Sequence, residues 1–190
     1  MSGLQRHPKI ILILRLPKTV TKMKTIYILR HAKSSWDTPN LTDHERPLLE
    51  KGIRRTGLIG DYLAKNNIKT GLLISSDAAR ALETSKLIAG AIGYPVESIK
   101  TDRRIYQEGT NHVYSVLNEV PQNIDSVMIV GHNPTLTSFV NEFLEKELDW
   151  LPTSGMVSIS FDTDDWKEIS ASQPTTNFVI SPRLLKGKIE

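Results

Sequence analysis

The residues that could do chemistry come in three short groups. Arg30 and His31 stand side by side at the end of the apolar run 26–29. Ser75, Ser76 and Asp77 end a second apolar run, and Arg80 follows three residues later. Gly131-His132-Asn133-Pro134 ends a third run. Guanidinium groups bind phosphate oxygens in two-pronged fashion and stay charged, and an imidazole among them can be a nucleophile toward phosphorus. A metal fits poorly: two arginines would repel a cation, and His31 and His132 lack a nearby acidic cluster.

Each group has a plainer explanation when taken alone. An arginine after a strand is usually a solvated end, and a histidine there is more often hydrogen-bonded than catalytic. Arg80 could pair with Glu83 or Asp77 on its own helix. The segment 131–134 could be only a turn, with Gly131 at an unusual backbone angle, Asn133 as helix cap and Pro134 at the first helical position. Their coincidence counts against these readings, because all three groups fall at the same end of separate strands.

The elements that would bring them together follow from periodicity. Short apolar runs predict strands at 25–29, 71–77 and 126–131, a weaker one within 96–106, and an alternating one at 155–162. Between them, a helix is expected from Pro47 to about Ala64, with Ile53, Thr56, Ile59 and Leu63 as its inner stripe. Others are expected from Ala78 to about Ile92, capped by Asp77 and ended at Gly93, from Asn111 to Val120, and from Pro134 to about Leu144, whose free first-turn amides would face an anion. The tail from Ser170 holds turn residues and the apolar patch 178–185. Strand and helix alternate, so the expected class is α/β: a three-layer α/β/α sandwich around a largely parallel sheet. In such sheets ligands bind beyond the carboxyl ends of the strands.

Composition narrows the function classes. The 190 residues are 39% hydrophobic and 24% charged, ordinary for one globular domain. Without cysteine there are no disulfides, thiolate nucleophiles or Cys-based zinc sites, which fits a reducing, cytoplasmic setting. The formal charge of +3 is unevenly placed. Residues 1–22 hold Arg6, Lys9, Arg15, Lys18 and Lys22 and no acid, leaving 19 basic against 21 acidic residues from Met23 onward, a net of −2. The body therefore lacks the footprint of a nucleic-acid binder. The apolar run 10–14 is too short for a signal segment or a membrane span. Residues 1–22 are read as a poorly ordered basic extension, Met23-Lys24 as a natural start, and 23–190 as one domain. A monomer is expected.

With these residues in order, the chain resembles the histidine phosphatase superfamily, which includes the phosphoglycerate mutases. "LRHAKSSW" is similar to its first histidine signature, "SSDAARALETS" to its central serine–arginine segment and "VGHNP" to its second histidine motif. Short length, the alanine after His31 and "HERPLLEKG" resemble the SixA type, the phosphohistidine phosphatases. The resemblance implies that His31 is a nucleophile that becomes phosphorylated, and that Arg30, Arg80 and His132 surround the phosphoryl group. It further implies that Ser34 offers a phosphate-contacting hydroxyl and that no cofactor is needed. His31 must then be unprotonated at its reacting nitrogen, with the other nitrogen donating to a carbonyl, and a cationic His132 is expected beside phosphate. Glu108 is the candidate proton donor, with Asp37 the other nearby carboxylate, standing where family members often place asparagine. The implied substrate is a phosphorylated protein carrying phosphohistidine, or alternatively a small phosphate ester. A mutase is disfavoured by the absence of long insertions, and a non-catalytic phosphate-binding module is the rival from another class.

Overall fold

The computed structural model describes residues 23–36 and 40–186. The basic extension 1–22 and Asp37 lie outside the described residues. Six strands form one sheet: β1 (Lys24–Arg30), β2 (Leu72–Ser75), β3 (Lys100–Thr101), β4 (Ser126–Gly131), β5 (Met156–Phe161) and β6 (Pro174–Ile180). Their order is β3-β2-β4-β1-β5-β6. Strands β3, β2, β4 and β1 run parallel, and β5 is antiparallel to both β1 and β6. The helices are α1 (Glu50–Lys65), α2 (Ala79–Ile92), α3 (Thr110–Asn118), α4 (Thr135–Asn141) and α5 (Pro182–Lys186).

Alternation along the strands divides the core into two layers. Ile26, Ile28, Val127, Ile129 and Val157 meet α3 and α4 on one face. Leu29, Met128, Val130 and Met156 meet α1, α2 and α5 on the other. This is the expected α/β/α sandwich. At the start of β1, the fully buried Lys24 donates to the carbonyls of Gln122 (2.7 Å) and Ile124 (3.1 Å) and to the Asp125 carboxylate (3.2 Å). That satisfies its charge at the end of the strands opposite the site.

Several expected boundaries shift, each for a local reason. Helix α1 starts at Glu50 rather than Pro47, because residues 47–49 pair with the loop after β1: Ser35 N–H donates to the Pro47 carbonyl (2.9 Å) and Leu49 N–H to the Lys33 carbonyl (3.0 Å). Its inner stripe is Gly52, Thr56, Ile59, Gly60 and Leu63, and Ile53 is exposed. Gly52 faces inward because a Cβ there would collide with the Lys33 carbonyl. Helix α2 is capped at Ala78 rather than Asp77 and ends at Gly93 in the left-handed region (φ 69°). The weak third strand shrinks to two residues, and residues 103–106 form a 3₁₀ turn. The tail holds β6 and α5. β6 reads as polar because it is an edge strand, exposed along most of its length, yet Asn177 donates to the Ser158 (3.0 Å) and Ser160 (2.8 Å) hydroxyls of β5.

Candidate active site

Strand register builds the site. Arg30 lies opposite Gly131 and Ser75 opposite Val130, so the residues that follow, His31, Ser76 and His132, emerge together. Backbone bonds continue the sheet past the strand ends: His31 N–H donates to the Gly131 carbonyl (3.0 Å) and Ser76 N–H to the Val130 carbonyl (2.9 Å). Gly131 is an ordinary strand residue. A Cβ there would stand 2.7 Å from Ile105, so close packing, rather than an unusual backbone angle, requires glycine.

The loop after β1 is held from three sides. Ala32 N–H donates to the Thr84 hydroxyl of α2 (2.9 Å), which donates to the Arg80 carbonyl (2.6 Å). Ser154, at a left-handed φ of 57°, donates its N–H to the Arg30 carbonyl (3.1 Å), and its hydroxyl pairs with Thr56 of α1 (2.9 Å). Gly52 supplies the third support, through its close approach to Lys33.

These supports surround a cavity of about 450 Å³ lined by Arg30, His31, Ser34, Arg46, Arg80 and His132, with Lys33 and Arg55 also on its wall. The His31 and His132 rings lie 4.9 Å apart between centroids. His31 Nδ1 lies 2.7 Å from the Ala32 carbonyl. A carbonyl only accepts, so Nδ1 carries the proton and Nε2 holds a free lone pair. Burial first, and the charges of Arg80, Arg30 and Arg46 after it, push the His31 pKa down to about 3, despite the opposing Ala32 bond. Among the described residues Nε2 has no hydrogen-bond partner.

His132 is fixed by Ser76: Nε2 lies 2.8 Å from the hydroxyl, which also accepts the Ala78 N–H at 3.2 Å. Its buried Nδ1 has no hydrogen-bond partner among the described residues. Burial, then His31, then Arg80 push its pKa down to about 2. Burial and the converging positive charge thus favour a neutral ring here, whereas the expected cationic His132 concerns a ring beside phosphate.

The arginines are oriented differently. Arg30 donates to the Leu151 carbonyl (2.9 Å) beside the Trp150 ring, and burial and Arg80 lower its pKa. Arg80 pairs with neither Glu83 nor Asp77. Its two terminal nitrogens donate to the Asp43 carbonyl (2.6 Å) and carboxylate (2.9 Å).

Asp43 and Arg46 were not among the residues singled out from sequence. Arg46, 8% exposed, donates to the Ser35 carbonyl (3.1 Å), meets Asp43 at 2.9 Å and stacks on Trp36 with its guanidinium carbon 3.5 Å from the ring centre. Asp43 also accepts from the Tyr106 hydroxyl (2.9 Å). Burial works against its charge, but the Tyr106 bond, Arg80 and Arg46 outweigh it and hold the carboxyl below its ordinary pKa. The available signal was Asp43-x-x-Arg46 itself, an acid and a base one 3₁₀ turn apart in the loop after the histidine.

Ser34 is buried on the cavity wall, its backbone bridged to Leu48. Glu108 does not line this cavity. It is exposed in an adjoining cleft of about 410 Å³ that shares Asp43, Arg80, His132 and Asn133 with the first. Helix α4 has only seven residues, and the first-turn amide of Leu136 is already bonded to the His132 carbonyl (3.0 Å). An anion in this cavity would therefore meet side chains rather than that helix end. Among the described residues no cluster of three or more acidic or histidine ligands could hold a metal ion, and no helix is long and apolar enough to cross a membrane.

Comparison with known proteins fits this geometry. The family described as histidine phosphatase superfamily (branch 1) matches residues 26–105. An uncharacterized protein of Mycobacterium tuberculosis is 34% identical over 110 residues, covering 58% of this chain and 66% of the relative. The chain thus spans just under two thirds of that relative's length. A solved structure named provisionally as the phosphohistidine phosphatase SixA of Agrobacterium tumefaciens is 27% identical, with a TM-score of 0.70 over 84% of this chain and 98% of that one. A phosphoglycerate mutase from Bacillus anthracis, 15% identical, shares the fold with a TM-score of 0.62 over 90% of this chain and 98% of its own.

Proposed function

We propose that the chain is a member of the histidine phosphatase superfamily, whose family model matches residues 26–105, and that it is a metal-independent phosphatase acting on protein phosphohistidine through a phospho-His31 intermediate. The observation that carries this reading is the state of His31. Its Nδ1 proton is tied to the Ala32 carbonyl, its ring is neutral, and its free Nε2 belongs to a cavity lined by Arg30, Arg46 and Arg80. Nε2 attacks phosphorus as the bond from phosphorus to the substrate imidazole breaks, and that ring, already protonated on its other nitrogen by solvent, leaves as neutral imidazole. Water then attacks the phosphorus on Nε2, releasing inorganic phosphate and restoring neutral His31. The arginines offset charge on the transferring oxygens, and their own charge makes a cation an unfavourable guest. Ser34 and the Nδ1 side of His132 are further phosphate contacts in this scheme. A cytoplasmic monomer is part of the same proposal.

The state of the described carboxyl supports this substrate class. Its described carboxyl, Asp43, is held ionised by Tyr106, Arg80 and Arg46, so it is a poor proton donor. An imidazole bound to phosphorus leaves readily, whereas an alkoxide needs an acid. A second reading, hydrolysis of small phosphate esters, is favoured by one observation: Glu108 stands in the adjoining cleft beside Arg80 and His132.

A leaving-group series separates the two readings. If phosphohistidine is the substrate, a phosphohistidine peptide outcompetes alkyl phosphates, p-nitrophenyl phosphate is hydrolysed, Glu108→Gln changes little throughout, and EDTA has no effect. If esters are the substrate, Glu108→Gln slows alkyl phosphates by ~10²-fold or more while sparing p-nitrophenyl phosphate.

A further inference from the structure

A second concave surface adjoins the first. Lys51, Arg54, Arg55 and Leu58 of α1 and Lys186 of α5 line a cleft of about 540 Å³, with four cations and no acid among the described residues of its wall. The spacing 51, 54, 55, 58 is that of a single helical face, extending about 10 Å along the axis. Arg55 also lines the histidine cavity, so the two surfaces are continuous.

This is not the ordinary scatter of surface charge. The chain from Met23 onward carries a net charge of −2, yet the cations converge here. Among the described residues Lys51, Arg55 and Lys186 have no ion-pair partner, and Arg54 has only the exposed Glu50 at 3.3 Å. Such a pair is worth little, and neighbouring cations repel one another until an anion joins them. One more phosphate would need one or two of these groups. Three cations within about one turn of α1, joined by Lys186 of α5 and with Leu58 one turn further on, instead match several carboxylates on an extended or helical segment.

We propose that this cleft docks an acidic segment of the phosphorylated protein, beside the phosphoryl group presented to His31. The proposal rests on the protein-phosphohistidine reading and names how such a partner is chosen. Long-range attraction of this kind sets encounter rate and partner choice more than final affinity, and it weakens with salt.

The test uses Lys51→Glu/Arg54→Glu/Lys186→Glu, none of which lines the histidine cavity. Two phosphohistidine peptides with the same centre are compared, one flanked by glutamate and one by glutamine. Wild type should favour the glutamate peptide on the order of tenfold through KM at low salt, and the variant should lose that preference with p-nitrophenyl phosphate turnover unchanged. Binding of the unphosphorylated glutamate peptide, followed by fluorescence anisotropy, should be seen in wild type, weaken with salt and vanish in the variant. That binding is read without catalysis, so it judges the cleft even if phosphohistidine is not turned over. Equal use of the two peptides by wild type, a preference that survives in the variant, absence of salt-sensitive peptide binding, or tighter binding of a single-stranded oligonucleotide would each overturn the proposal.

Discussion

His31 and Arg80 depend on opposite kinds of contact. His31 is oriented by one backbone carbonyl and left otherwise open, whereas both terminal nitrogens of Arg80 are engaged by Asp43. An internal carboxylate therefore occupies guanidinium groups that a phosphoryl group would use in the proposed mechanism. Arg80→Ala should lower kcat/KM by ~10²-fold or more, the usual loss of one charge-stabilising donor, with a folded circular dichroism spectrum. Asp43→Asn should instead free Arg80 and Arg46, and vanadate should inhibit that variant more tightly than wild type. If Asp43→Asn is as damaged as Arg80→Ala and binds vanadate no better, the pair is a structural clamp. At this scale the histidines and Arg30 were legible because they interrupt apolar runs. Asp43 and Arg46 were not, because a loop has no period, and their place depends on how 47–49 pairs with 33–35.

At the scale of elements, the decisive contact joins helix α1 to the loop after β1. Gly52 lies in the first turn of α1, and any side chain there would strike the Lys33 carbonyl, which already accepts from Leu49. Backbone on both sides of this contact leaves little room to yield. Gly52→Ala should therefore displace the loop carrying His31 and Ser34, lowering kcat/KM tenfold or more, since a shift of about 1 Å in a positioned group is costly. A surface control, Gly57→Ala, meets nothing within 4 Å and should leave activity intact and raise helix stability slightly. Equal activity in all three proteins would remove α1 from the positioning of the site. The stripe of α1 was misread from sequence for the same reason: apolar periodicity favours Ile53, but the approach of a distant carbonyl selects the glycine beside it.

Across the whole molecule, folding gathers both histidines and three arginines into one desolvated pocket. The His31 and His132 pKa values fall to about 3 and about 2, against 6.5 in an unfolded chain. As pH drops below about 6.5 the unfolded chain binds protons that the folded state refuses, so stability must fall with falling pH. Asp43, held below its ordinary pKa, adds a loss of the same sign in a more acid window. Urea midpoints from about pH 8 to about pH 4 should decline, and His31→Asn/His132→Gln should flatten the decline. A flat profile, with both rings titrating near 6.5 by NMR, would contradict the buried neutral pair. The sandwich and its parallel strands were legible because each strand is a short apolar run followed by a periodic helix. β6 was not, since its polar residues face solvent and only its pairing with β5 makes it a strand.

The central claim is that His31 carries the phosphoryl group. Mixing enzyme with a phosphohistidine peptide or phosphoramidate, quenching within the first turnover and mapping the modified peptide by mass spectrometry tests it directly. The account predicts acid-labile phosphate on His31, lost on longer incubation as inorganic phosphate appears, with no adduct and no turnover in His31→Ala. Phosphate on another residue, or full activity in His31→Ala, would contradict it.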